Sequence, residues 1–117
     1  MLELLGDWKR TDYCGSLGVE DLEREVILMG WVQSKRDHGG LIFVDLRDRE
    51  GIIQVVYNPQ LNIEAHQKAG LLKDEWIVAV KGAVTRRPQE TINPNIKTGE
   101  IEITVKEIRI LNTSKVL

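Results

Sequence analysis

The sequence predicts an all-β domain, a closed five-stranded barrel with one helix between the third and fourth strands. Three observations carry that prediction. Five segments of strand length are separated by turn residues. Apolar residues recur at every second position in Ile42, Val44 and Leu46, in Val78, Val80 and Val84, and in Ile101, Ile103 and Val105. That is the period of a strand with one buried face. Residues 60–74 instead space Leu61, Ala65, Ala69 and Leu72 as an amphipathic helix does. Three strands, a helix and two strands is the order of the OB-fold. An SH3-like small barrel is the runner-up, and a full helix between strands three and four disfavours it.

The elements run in chain order. Residues 1–12 read as a weakly tethered arm, and residues 13–112 as the barrel domain. A lead-in comes after the arm, with a helical turn available over 19–22. Strands are expected at about 25–35, 41–47 and 51–57. His38-Gly39-Gly40 and Arg49-Glu50-Gly51 separate them, since glycine permits the positive φ of tight turns. Asn58-Pro59 ends the sheet run. A fourth strand is expected at about 76–87, a polar loop at 88–99 and a fifth strand at about 100–111.

Alternation also says which side chains share a face. Phe43 falls with the polar odd residues Asp45 and Arg47, opposite the apolar even set. An aromatic ring on the wet face of a small sheet suits stacking of a nucleobase. Gln54 lies opposite Ile53 and Val55; Lys81, Thr85 and Arg87 lie opposite Val80 and Val84; Glu102 lies opposite Ile101 and Ile103. Arg36 sits where the first strand ends. The candidate outward set is therefore Arg36, Phe43, Gln54, Arg87 and Glu102, provided no β-bulge intervenes. Gln54 offers a donor and an acceptor to a base edge, the arginines suit phosphate or a base acceptor, and Glu102 accepts from an amino group or ring N–H. Such a mixture means reading of sequence rather than plain charge attraction.

Other residues have plainer roles. Trp31 and Trp76 read as core, His66 as a helix-surface residue, and Arg47 to Glu50 as an ion-pair cluster around a turn. Asp37, Asp45 and Asp48 have no spacing that fixes a metal. There is no nucleophile–base pair, no phosphate loop and no metal-ligand motif, so neither a catalytic residue nor a cofactor is assigned.

Bulk properties bound the answer. With 117 residues, 42% hydrophobic and 29% charged, the chain is one soluble globular domain, too small for a complete large enzyme. The net charge of −2 carries no global mark of nucleic-acid binding. The charge is uneven, however. Residues 1–25 hold seven acids and three bases, whereas 81–97 hold Lys81, Arg86, Arg87 and Lys97 against Glu90 alone. That local excess can meet phosphates. Cys14 is the single cysteine, which fits a reducing cytosol and excludes an intrachain disulfide. Residues 1–13 lack the pattern of a signal peptide, and no apolar run reaches the roughly 20 residues of a membrane helix.

The residues also resemble a known family. Residues 10–15 (RTDYCG), 30–32 (GWV), 36–51 (RDHGGLIFVDLRDREG), 53–56 (IQVV) and 98–102 (TGEIE) closely resemble the N-terminal anticodon-binding domain of bacterial-type aspartyl-tRNA synthetase. The resemblance runs from about residue 10 to the end. The lysyl and asparaginyl enzymes share the barrel, but the R-D-x-G-G-x-I-F-x-D-x-R-D run and the G-x-x-Q-V strand look like the aspartyl type.

The resemblance implies a module that grips the anticodon loop of aspartate tRNA, anticodon GUC. Its stacking phenylalanine falls on Phe43, its base-reading glutamine on Gln54, its arginines on Arg36 and Arg87, and its glutamate on Glu102. The family's polar loop maps to 89–93, with Asn93 as a contact. Position 38 is often leucine in enzymes charging only aspartate tRNA; His38 implies a relaxed enzyme that also charges asparagine tRNA, whose anticodon ends in U. The resemblance further implies a cytoplasmic, homodimeric parent that uses ATP and magnesium in a later catalytic domain. A hinge toward that domain is expected to start at 113–117, and the module alone is expected to be a monomer. A general single-strand-binding OB module and a protein-interaction barrel anchored by Phe43 are the competing functions. The first would show more exposed aromatics and a more basic groove.

Overall fold

A computed structural model describes residues 2–113; the expected hinge lies almost wholly in 114–117, outside the described residues. The strands are β1 (Glu25–His38), β2 (Leu41–Asp48), β3 (Gly51–Tyr57), β4 (Ile77–Arg86) and β5 (Ile101–Asn112), with helix α1 (Ile63–Ala69) between β3 and β4. They close into a barrel in the order β1-β2-β3-β5-β4. All neighbouring pairs are antiparallel except β3 and β5, which pair in parallel at Val55↔Ile103 and Val56↔Thr104. This is the five-stranded OB-fold that alternation and the mid-chain helix predict.

The even–odd pattern has the expected physical cause. Val44, Leu46, Val78, Val80, Val84 and Ile103 are fully buried, and they form one core with Val26, Leu28 and Val32. The β1–β2 connection is a two-residue turn in which Gly39 and Gly40 have φ of 62° and 85°. Only glycine adopts both values without strain, and the mirror-image turn matches strand twist.

Three register shifts interrupt the ladders, one of them at the end of β5, where Ile77 pairs with Asn112 and Val78 with Ile110 and Leu111 is extra. In β1, Val32 pairs with Leu46 and Ser34 with Asp45, so Gln33 is an extra residue. In β5, Glu107 pairs with Lys81 and Val105 with Gly82, so Lys106 is extra. Each bulge switches the facing of the later residues in its strand. Core positions in β5 accordingly change from odd (Val105) to even (Ile108 and Ile110).

Helix α1 is shorter than the expected 60–74. Residues 58–61 are taken by a turn in which Asn58 Oδ1 accepts from the Gln60 N–H and the Asn58 carbonyl accepts from the Leu61 N–H. Asn62 then caps the helix, its Oδ1 accepting from the Ala65 N–H at 2.9 Å. Ala65, Ala69 and Leu72 are buried as expected, but Leu61 lies in the turn and is exposed.

The N-terminal arm is docked rather than loose. The Glu3 N–H donates to the Ile110 carbonyl at 2.7 Å, and Glu3 Oε2 lies 2.9 Å from the Lys68 ammonium. Burial works to raise the Glu3 carboxyl, but Lys68 and the Ile110 N–H outweigh it and hold the group below its ordinary value. Trp8 is buried, with the Arg109 guanidinium 4.0 Å and the Lys81 ammonium 4.9 Å from its ring. Farther on, the Cys14 N–H donates to Asp48 Oδ2 at 2.7 Å, and Asp48 Oδ1 accepts from the Glu50 N–H. Asp48 is therefore a buried pin between the lead-in and the β2–β3 turn, not a member of a surface ion-pair cluster. Trp31, expected in the core, is 36% exposed because it shares the odd face of β1 and stands opposite Arg47.

Candidate nucleic-acid interface

The outer faces of β1, β2, β3 and β5 carry a continuous row of side-chain hydrogen bonds. Asp45 Oδ2 accepts from Ser34 Oγ at 2.8 Å and from Arg36 Nη1 at 2.9 Å. Arg36 Nη2 donates to Gln54 Oε1 at 3.0 Å. Gln54 Nε2 in turn donates to Glu102 Oε1 at 3.0 Å. The row exists because the barrel register places Asp45 opposite Gln54 and because the extra residue Gln33 turns Arg36 outward. With uninterrupted alternation, Arg36 would share the parity of Val32, which is fully buried.

Beside this row lies an open pocket of about 380 Å³ lined by Arg36, Asp37, His38, Phe43, Gln54 and Thr91. Phe43 is half-buried and offers a ring to a flat ligand, whereas Gln54 is only 5% exposed and brings an amide to the pocket wall. A π-face beside a donor–acceptor edge is what stacking and edge reading of an unpaired base require.

Electrostatically the site is nearly balanced. Arg36 and Arg87 act on the same cluster as Asp45 and Glu102. Burial raises the Glu102 carboxyl above its ordinary value, partly opposed by the Gln54 N–H and by Arg87. Burial lowers the Arg87 guanidinium, which Glu102 and Asp45 support. This balance matches a surface that sorts hydrogen-bond patterns rather than one that collects anions.

Of the seven expected residues, the structure brings Arg36, His38, Phe43 and Gln54 to the pocket wall and sets Glu102 directly behind Gln54. Arg87 is not presented outward as alternation suggests. It is 6% exposed, and it donates from Nε to the Ile101 carbonyl and from Nη1 to the Thr91 carbonyl. Its guanidinium clamps the 88–99 loop to β5. Asn93 does not line the pocket. Its Oδ1 accepts from the Asn95 N–H, and its backbone N–H donates to the Gly99 carbonyl. Gly99 packs so tightly there that a Cβ would lie 1.7 Å from the Asn93 carbonyl oxygen.

Three further residues belong to the site. Thr91 lines the pocket from the loop, and Ser34 and Asp45 hold Arg36. Asp45 was legible from alternation, since it shares the face of Phe43. Ser34 had no sequence signal, because its facing depends on the bulge.

Comparison with known proteins gives a consistent result. The family of the OB-fold nucleic acid binding domain matches over residues 26–111. The chain is 55% identical over 117 residues to the aspartate–tRNA(Asp/Asn) ligase of Geotalea uraniireducens (strain Rf4), covering 100% of this chain and 20% of that protein. It is 55% identical over 112 residues to the protein of the same name from Syntrophotalea carbinolica, covering 96% of this chain and 19% of the relative. The crystal structure of asparaginyl-tRNA synthetase from Pyrococcus horikoshii complexed with asparaginyl-adenylate superposes with a TM-score of 0.75 at 27% identity, covering 92% of this chain and 23% of that one. The chain thus spans about one-fifth of the length of the curated relatives it matches.

Proposed function

Because the chain belongs to the OB-fold nucleic acid binding domain family, we propose that it is the anticodon-reading module of an aspartate–tRNA ligase. It binds the anticodon loop of aspartate tRNA, and of asparagine tRNA as well. The observation that carries this reading is the pocket where the Phe43 ring stands beside the Gln54 amide. The middle anticodon base stacks on Phe43 and is read by Gln54. Arg36 and Glu102 contribute a donor and an acceptor to the flanking bases. Exposed His38 on the pocket rim faces the third anticodon base, where an imidazole can donate or accept and so tolerates C or U.

Arg87 and Asn93 serve the same reading less directly, by fixing the loop that carries Thr91. The parent ligase is a cytoplasmic homodimer that attaches aspartate to the tRNA using ATP and magnesium, and this module alone is a monomer. The ATP and magnesium chemistry belongs, in this reading, to the parent's later domain. No step of the ligation is assigned to this chain.

The test is direct binding of the domain to anticodon stem-loop RNAs at fixed moderate salt. The loops carry GUC, GUU or a replaced middle base. The reading expects tight GUC binding that collapses when the middle U is replaced, with comparable GUU binding. Equal binding to all loops would leave a general single-strand module as the better account. Absence of the steep salt dependence of counterion release would point to a protein-interaction barrel. A His38→Leu variant is expected to lose GUU relative to GUC.

A further inference from the structure

An amide reads a base edge only as well as its orientation is fixed. Oxygen and nitrogen have nearly the same shape, so a glutamine free to flip offers donor–acceptor and acceptor–donor with equal ease. Uracil presents N3–H beside the O4 acceptor; cytosine presents the N3 acceptor beside the N4 amino group. The two edges are therefore donor–acceptor mirror images. A pyrimidine held in one pose is distinguished by an amide that cannot turn over, and not by one that can.

Gln54 is held in this way. Its Oε1 accepts from Arg36 Nη2, and its Nε2 donates to Glu102 Oε1, both at 3.0 Å. A flipped amide would set N–H against the guanidinium and oxygen against the carboxylate, two like-on-like contacts at a residue only 5% exposed. Each amide atom still keeps one free valence, a lone pair on Oε1 and an N–H on Nε2, for a base. The Arg36 side chain is 48% exposed and would be mobile if left alone, but Asp45 holds it, with Ser34 donating to the same Asp45 oxygen.

We propose that Asp45 and Glu102 are positioning residues that lock the Gln54 amide from opposite sides, Asp45 through Arg36. The lock gives the site its discrimination between uracil and cytosine at the base stacked on Phe43. This rests on the anticodon reading proposed above and adds a cause for its specificity. Asp45 matters although it does not line the pocket.

The test compares GUC and GCC stem-loops against the wild-type domain, Asp45→Asn, Glu102→Gln and the double variant. Each asparagine or glutamine keeps the size of the residue it replaces but can donate or accept. The wild type is expected to prefer GUC over GCC by roughly tenfold or more. Each single variant lowers the ratio, and in the double variant it approaches one while thermal melting shows a folded domain. A double variant with the wild-type ratio, whatever its absolute affinity, overturns the lock. NMR of the free domain reads the same property without RNA. The Gln54 side-chain amide protons are expected to exchange more slowly with solvent than those of exposed Gln60, and faster in the double variant. Exchange as fast as that of Gln60 in the wild type also overturns the lock. Wild-type binding indifferent to every loop would instead remove the anticodon reading, and the NMR result would then stand apart from it.

Discussion

Arg36 stands directly opposite Phe43 across β1 and β2, and both side chains line one pocket. The relation requires Gln33 to stand outside the ladder. Before that residue, even positions of β1 meet the even core positions of β2; after it, they meet the odd outward ones. Gln33 itself keeps a tie to the outer face, its Oε1 accepting from Arg47 Nε.

Deleting Gln33 takes out only the extra residue: Val32 opposite Leu46 and Ser34 opposite Asp45 become successive ladder pairs, and Arg36 stays opposite Phe43. The deletion is therefore expected to keep Arg36 outward and to leave stem-loop affinity, read by fluorescence anisotropy, close to wild type. Loss of that affinity in a folded variant would mean that the bulged residue itself is needed to hold Arg36 at the pocket.

Phe43→Ala removes the stacking ring but no core contact, since Phe43 lies outside the buried cluster. Its RNA affinity is expected to drop by about 1–3 kcal/mol with little change in melting temperature. Fluorescence anisotropy at one salt concentration measures the first effect and a thermal melt the second. Phe43→Tyr keeps the π-face and is expected to stay close to wild type.

Glu102 sets a pH dependence in the free domain. Burial raises its carboxyl above the ordinary 4.5, against the Gln54 N–H and Arg87. A raised group stabilises the fold while protonated. That contribution is complete below 4.5 and is lost as pH climbs through the higher folded value. Glu102→Gln stays neutral at every pH, so its stability relative to wild type is expected to increase between acid and neutral pH. Melting curves across that range check the sign, and a flat or inverted difference would contradict it.

Trp8→Ala tests the docked arm. The ring is 4% exposed and contacts Arg109 and Lys81. Its loss is expected to cost roughly 3–5 kcal/mol, a large share of a small domain's stability. Stem-loop affinity of the folded fraction should not change, because Trp8 does not line the pocket at Phe43. A neutral Trp8→Ala in chemical denaturation would mean that the arm adds nothing to the fold.

Much of this protein is written in local chemistry. Alternating apolar residues, glycine turns and one helical stretch suffice for five strands, the helix and the core face, because each depends on residues a few positions apart. The same logic places Phe43, Gln54 and Glu102 on the outer surface. The bulge at Lys106 also leaves a trace, since the apolar pattern shifts from Val105 to Ile108. The bulge at Gln33 leaves none: the even residues after it, Ser34 and Arg36, are polar, and no apolar residue marks the change of face. A bulge is a two-against-one count between strands, so it appears only once the ladder is formed. Burial of Arg87 needs the loop that folds over it, and the inward-held amide of Gln54 needs partners 18 residues behind and 48 residues ahead in the chain. Which side chains can meet a base is set by local pattern. How firmly they are held is set by contacts across strands that only barrel closure creates.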